Sequence, residues 1–117
     1  MQDLNITLIQ YDIQLETKKE NLAFLENTIV HLKGKTDIIA LPEMFSTGFS
    51  MSPILLAETM NGFTINWMLD QAEKCKSIIM GSCIIKENMK YFNRLVVAFP
   101  DGQIEYYDKN YLYSPAG

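Results

Sequence analysis

Glu43 and Lys109 are the side chains of this sequence whose types and positions best suit proton and charge chemistry. A carboxylate can take and return a proton, and a fixed ammonium can hold a developing anion. Glu43 follows Ile38-Ile39-Ala40-Leu41-Pro42, an apolar run closed by a residue that cannot donate to a β-ladder. The acid therefore stands just past the end of a buried strand, beside the loop Ser46-Thr47-Gly48-Phe49-Ser50. Most acids in such places are simply solvated. The same place, next to a loop at a sheet edge, also serves chemistry. Lys109 ends the last predicted strand and carries the same two readings. The remaining reactive types form no constellation. Cys75 falls in a predicted helix and Cys83 in a predicted strand, and both read as buried free thiols rather than a disulfide framework. His31 is the sole histidine, so no metal-spaced His/Cys cluster exists, and no Gly-rich phosphate loop is present.

The elements that must position Glu43 and Lys109 follow from periodicity. Leu4, Ile6 and Leu8 alternate with polar residues and run on through Ile9 and Tyr11, which predicts a strand over 3–11. Thr17 and Glu20 have capping-box spacing, Leu22, Leu25, Ile29 and Leu32 recur at helical spacing, and Gly34 ends that helix. A strand over 37–41 follows, so the first unit is strand–helix–strand with parallel strands. Ser52-Pro53 starts a short helical stretch over 54–58. A helix over 64–76 then buries Ile65, Met68, Leu69, Ala72 and Cys75, with Trp67 at the margin of the stripe. Strands over 77–86, 91–99 and 103–108 complete the chain, joined by turns at 87–90 and Pro100-Asp101-Gly102. Helical connections keep the first three strands parallel, and two hairpins reverse the direction twice. The fifth strand is then parallel to the second, and Glu43 and Lys109 share the carboxyl edge, where open α/β sheets bind ligands.

Composition narrows the class further. With 117 residues, 48% hydrophobic and 21% charged, the chain suits one folded domain rather than a disordered segment. A net charge of -4 without a basic stripe speaks against nucleic acid as a partner. The apolar runs are too short for a membrane span, and Met1-Gln2-Asp3 lacks a signal-peptide pattern, so the expectation is a cytoplasmic protein.

The sequence resembles the nitrilase superfamily of carbon–nitrogen hydrolases across nearly its whole length. The matching stretches are Ile6 to Tyr11, Leu41-Pro42-Glu43-Met44-Phe45, Met80-Gly81-Ser82, Phe92-Asn93-Arg94, Phe99-Pro100-Asp101-Gly102 and Tyr107-Asp108-Lys109. The run from Glu43 to Met51 is most similar to the ω-amidase-type branch, which hydrolyses dicarboxylic acid monoamides such as 2-oxoglutaramate and succinamate. The resemblance implies an α/β fold, a partial αββα sandwich with a mixed sheet flanked by helices. It implies residues 1–117 as the N-terminal portion of a single carbon–nitrogen hydrolase domain, a small-molecule amide substrate, no cofactor or metal, and a homo-oligomer (dimer) for the full-length protein.

Carried over residue by residue, the family's base is Glu43 and its oxyanion-binding lysine is Lys109. The family's nucleophilic cysteine lies beyond the lysine on a strand-to-helix elbow and has no match here. Cys75 and Cys83 precede Lys109 and lie in the wrong elements, so this chain alone is expected to be inactive. Met44 and Phe45, with Phe49 and Met51, are candidates to line the substrate pocket or to pack the loop. Asn93 and Arg94 are expected to serve the fold through hydrogen bonds and pairing, with direct substrate contact the less favoured alternative, and Tyr111 and Tyr113 stand near enough to Lys109 to wall the site. Five strands do not close a sandwich, so one sheet face and at least one strand edge are expected to lie uncovered. Two alternatives stand beside this reading. One is a truncated non-catalytic relative acting as a binding or interaction module. The other is an unrelated flavodoxin-like domain, which predicts Glu43 and Lys109 more than about 10 Å apart, beyond effective ion pairing.

Overall fold

The computed structural model describes residues 3–14, 17–48 and 53–113. The elements run β1 (Ile6–Leu8), α1 (Lys18–Ile29) with a 3-10 turn Val30–Leu32, β2 (Ile38–Ala40), α2 (Pro53–Leu56), α3 (Phe63–Cys75), β3 (Ile78–Glu87), β4 (Lys90–Ala98) and β5 (Ile104–Tyr113). All five strands form one mixed sheet in the order β1-β2-β3-β4-β5. β1, β2 and β3 are parallel, β4 is antiparallel to β3, and β5 is antiparallel to β4. The expected strand directions therefore hold, and β5 runs with β2.

Pleating sorts the side chains onto two faces. One face carries Ile39, Ile79, Cys83, Ile85, Val96 and Ala98, which pack on Leu22, Leu25 and Ile29 of α1 and on Ile65, Met68, Ala72 and Cys75 of α3. The other face carries Ile38, Ile78, Met80, Leu95 and Val97, all half-buried. At its margins Ile6, Leu8 and Tyr107 are exposed. Among the described residues no helix covers this face, as the strand count led one to expect, although Ser82, Ile84 and Asn93 on it are buried, and β1 and β5 are the edge strands. The β3–β4 hairpin turns at Asn88 and Met89, both with positive φ (52° and 64°), the backbone that matches strand twist in a two-residue loop. Among the described residues no helix is long and apolar enough to cross a membrane.

Several boundaries differ from the sequence reading for identifiable reasons. The first strand is three residues long rather than nine, because β2, its only neighbour, is itself three residues long. The Thr17 hydroxyl donates to the Gln14 carbonyl at 2.9 Å and caps nothing. Asn21 organises that entry instead. It accepts from Gln14 N–H and donates to the carbonyls of Gln14 and Ser46, each at 2.8 Å. The short helix ends at Leu56, since Glu58 joins Ile85 in a parallel bridge. Trp67 lies in the core rather than at its margin. The fifth strand extends to Tyr113, five residues beyond the expected end at Asp108, so Lys109 lies within it.

Candidate active site

The Glu43 turn is buried except at its functional tip. From Met44 to Gly48 every residue is buried, whereas Glu43 is exposed. Leu41 N–H still donates to Met80 O at 2.8 Å, and the chain then leaves the sheet at Pro42. Met44 takes a left-handed backbone, φ 52°, which is uncommon for a residue with a side chain. Its N–H donates to the buried Ser82 hydroxyl at 2.9 Å, and its carbonyl accepts from Gly48 N–H at 2.7 Å. The Phe45 ring is fully buried, over Gly81 on one side and tilted 31° against Trp67 with ring centroids 6.0 Å apart on the other. Tyr11 donates its hydroxyl to the Phe45 carbonyl, and Asn21 holds the Ser46 carbonyl. The turn is thus fixed by residues before α1, by α1 itself, by α3 and by β3.

Lys109 comes from a β-bulge. Arg94 pairs with Asp108 and Asn93 pairs with Asn110, so Lys109 is the extra residue of β5. Bulges redirect side chains and are common beside active sites. Here the Lys109 ammonium donates to Glu43 Oε1 at 2.5 Å. The same oxygen accepts from Asn93 Nδ2 at 3.1 Å. The hydrogen bonds from Lys109 and then Asn93 hold the Glu43 carboxyl below the usual glutamate range, so it is ionised at neutral pH. Both charged side chains keep partial exposure, 39% for Lys109 and 41% for Glu43, so a small molecule can reach them. Asn93 is buried, and its Oδ1 has no partner among the described residues.

The structure brings Glu43 and Lys109 together and places the other named residues as follows. Met44 and Phe45 are buried by the chain's own packing. Phe49 and Met51 lie outside the described residues, as do the side chains of Tyr111 and Tyr113. Cys83 belongs to the helix-covered core, where burial pushes its thiol up to about 12. Cys75 is likewise buried. The sequence reading favoured a fold role for Asn93 over contact with substrate, and neither reading included the bond it makes to the Glu43 carboxylate. The available signal was two consecutive polar residues, Asn93 and Arg94, inside an otherwise apolar strand. A separation beyond 10 Å, expected for a flavodoxin-like domain, is not what the pair shows.

A mixed sheet with helices on one face, and a Glu–Lys pair formed by Glu43 past the end of β2 and Lys109 within β5 rather than at the expected carboxyl edge, defines the class of protein. The pattern of the family described as "Carbon-nitrogen hydrolase" matches residues 5–117, and the chain belongs to that family. Among its relatives the similarity runs to the ω-amidase-like branch. It is 31% identical over 116 residues to "Omega-amidase YafV" of Escherichia coli K12, covering 99% of this chain and 44% of that protein. It is 28% identical to "2-oxoglutaramate amidase" of Bacillus subtilis 168, covering 92% of this chain and 43% of that protein. The crystal structure of XC1258 from Xanthomonas campestris, a CN-hydrolase superfamily protein with an arsenic adduct in its active site, superposes with a TM-score of 0.90. That protein is 37% identical, with 97% of this chain and 43% of that chain covered. The chain thus spans less than half the length of the relatives it matches.

Proposed function

We propose that this chain supplies the base and the oxyanion-stabilising cation of a cysteine-dependent amidohydrolase acting on small dicarboxylic acid monoamides of the 2-oxoglutaramate or succinamate kind. The observation that carries the reading is the 2.5 Å contact between the Lys109 ammonium and Glu43 Oε1. A free thiol has a pKa of about 8.5 and is mostly protonated at neutral pH, so a nucleophilic cysteine needs an adjacent base. Glu43 is that base. It takes the thiol proton as sulfur attacks the amide carbon, and delivers it to the departing ammonia. Lys109 stabilises the tetrahedral oxyanion, a contribution of about 3–4 kcal/mol for a well-placed donor. The resulting thioester is hydrolysed by water, with Glu43 again as base. Met44, Phe45, Ser82 and Asn21 keep the Glu43 turn rigid, so the carboxylate is poised before substrate arrives. The chemistry requires no metal or organic cofactor. The nucleophile lies outside residues 1–117, in a single hydrolase domain of which this chain is one part, and the working protein is a cytoplasmic homo-oligomer.

The test compares ammonia release from 2-oxoglutaramate and succinamate by the 117-residue chain and by the protein purified from its native cells. The chain by itself is expected to release none above background. The native protein is expected to be active, and Glu43→Gln to lower its rate by about 10²–10⁴-fold, the usual worth of a positioned general base. Release by the chain itself, abolished by Cys83→Ala, contradicts the proposal, and so does an inactive native protein.

A further inference from the structure

Arg94 is the largest fully buried side chain, and it is charged. Burying a guanidinium is strongly unfavourable unless every donor is paired, and apolar residues would fill the space more simply. Its pairing is extensive. Nε donates to Asp108 Oδ1 at 2.6 Å and Nη2 to Asp108 Oδ2 at 3.1 Å, a two-pronged grip on one carboxylate. Nη1 donates to Glu87 Oε1 at 3.0 Å. The guanidinium carbon lies 4.0 Å from the Tyr106 ring centre and 5.5 Å from that of Phe92. Asp108 and Tyr106 are two residues apart on β5, so Arg94 grips two successive same-face positions of that strand. The grip ends at the bulge, since Asp108 is the last regular partner before Lys109.

The hairpin turn, where Phe99 N–H donates to Gln103 O at 2.9 Å and Ile104 packs on the core, sets the register at the start of β5, but the bulge resets it, and beyond Ile104 little else holds it. β5 is an edge strand, and its side chains at Glu105, Tyr106 and Tyr107 are exposed. Edge strands with little buried surface slip readily, and a slip by one residue sends every side chain to the opposite face. A slip here would put Tyr107 or Lys109 opposite Arg94 and turn the ammonium away from Glu43. On the other face of β4, the residue adjacent to Arg94, Asn93, holds the Glu43 carboxylate. One dipeptide of β4 thus holds the base directly and the strand of its cation by the opposite side. We propose that Arg94 is a positioning residue for Lys109: its half-buried ion pair with Asp108 locks the register of β5 at the bulge and so aims the ammonium at Glu43. The proposal rests on the Glu43–Lys109 pair having the role assigned above.

The test is a carboxyl ¹³C titration of Glu43 by NMR in the 117-residue chain, with the cross-strand NOEs between positions 94 and 108. Two variants are compared with the unaltered chain. Arg94→Met with Asp108→Leu replaces the ion pair by apolar groups, and Arg94→Lys keeps the charge but loses the fork. In the unaltered chain the Glu43 midpoint is expected below the ordinary glutamate range. In the double variant it is expected to rise into that range with loss of the NOEs, and in Arg94→Lys to rise part of the way. A purely structural role predicts altered stability with an unmoved midpoint, and an unmoved midpoint in either folded variant overturns the proposal. If the double variant does not fold, Arg94→Lys decides. An ordinary midpoint already in the unaltered chain would instead refute the Glu43–Lys109 pairing itself, so the two failures are distinguishable.

Discussion

Replacing Gly81 by Ala places a methyl group where Phe45 already sits. A Cβ at that position lies 2.7 Å from Phe45 Cδ1, 2.9 Å from Phe45 Cε1 and 3.1 Å from Leu41 Cβ. Ordinary contact begins near 3.4 Å, so the ring must retreat by about 0.7 Å. It has nowhere to go, since Phe45 is 0% exposed and backed by Trp67. Overpacking of this kind costs about 1–3 kcal/mol. Loss of glycine's freedom in the unfolded chain returns about 0.4–1 kcal/mol. With mid-range values of about 2 and 0.7 kcal/mol, the expected net destabilisation of Gly81→Ala is about 1.3 kcal/mol. Phe45→Leu makes room for the methyl, so the double variant is expected to be more stable than the sum of the two single losses, by about 1 kcal/mol. Urea unfolding followed by the fluorescence of Trp67, the sole tryptophan and a neighbour of Phe45, reads all three variants. A neutral Gly81→Ala, or losses that add within about 0.3 kcal/mol, would refute the packing that holds the Glu43 turn.

Two further outcomes follow from buried and paired groups. Cys75 and Cys83 are buried and the Cys83 thiol is pushed up to about 12, so neither is expected to react with iodoacetamide at pH 8 until the chain unfolds; rapid labelling of the native chain contradicts this. Glu58 is opposed by burial but is held below the ordinary value of 4.5 by Lys18 and Thr64, so its contribution is present above the unfolded value and is lost as pH falls through the folded one. Glu58→Gln is therefore expected to cost about 1–3 kcal/mol at pH 7 and to approach the unaltered chain as pH falls below 4.5, whereas an equal gap across that window refutes the linkage.

That Glu43 and Lys109 lie on strands running the same way was legible from strand direction, although Lys109 sits at a bulge within β5 and not at its end. Helical crossovers force β1, β2 and β3 to be parallel, and hairpins force two reversals. Proline after an apolar run marked where β2 ends. The details that make contact depend on residues far apart in sequence, and periodicity is blind to them. The bulge that presents Lys109 is a mismatch between the registers of β4 and β5, and nothing in the local run Tyr107-Asp108-Lys109 reveals it. The fit of Phe45 to the missing side chain of Gly81 is of the same kind. Thr17 and Glu20 have the spacing of a capping box, yet Thr17 adopts φ -116° and ψ 78° and turns its hydroxyl to Gln14. Alternation from Leu4 to Tyr11 reads as a long strand, but pairing also needs a neighbour, and β2 offers only three residues.

Under the proposed function Glu43 and Lys109 act as one unit in amide hydrolysis. The most direct measurement is the rate of ammonia release from succinamate by the native-source protein carrying Glu43→Gln, Lys109→Met, or both. Groups that work as a unit are strongly non-additive when removed together. The double variant is expected to lose little more than the more damaging single one. Losses that multiply, each residue acting without regard to the other, would contradict it.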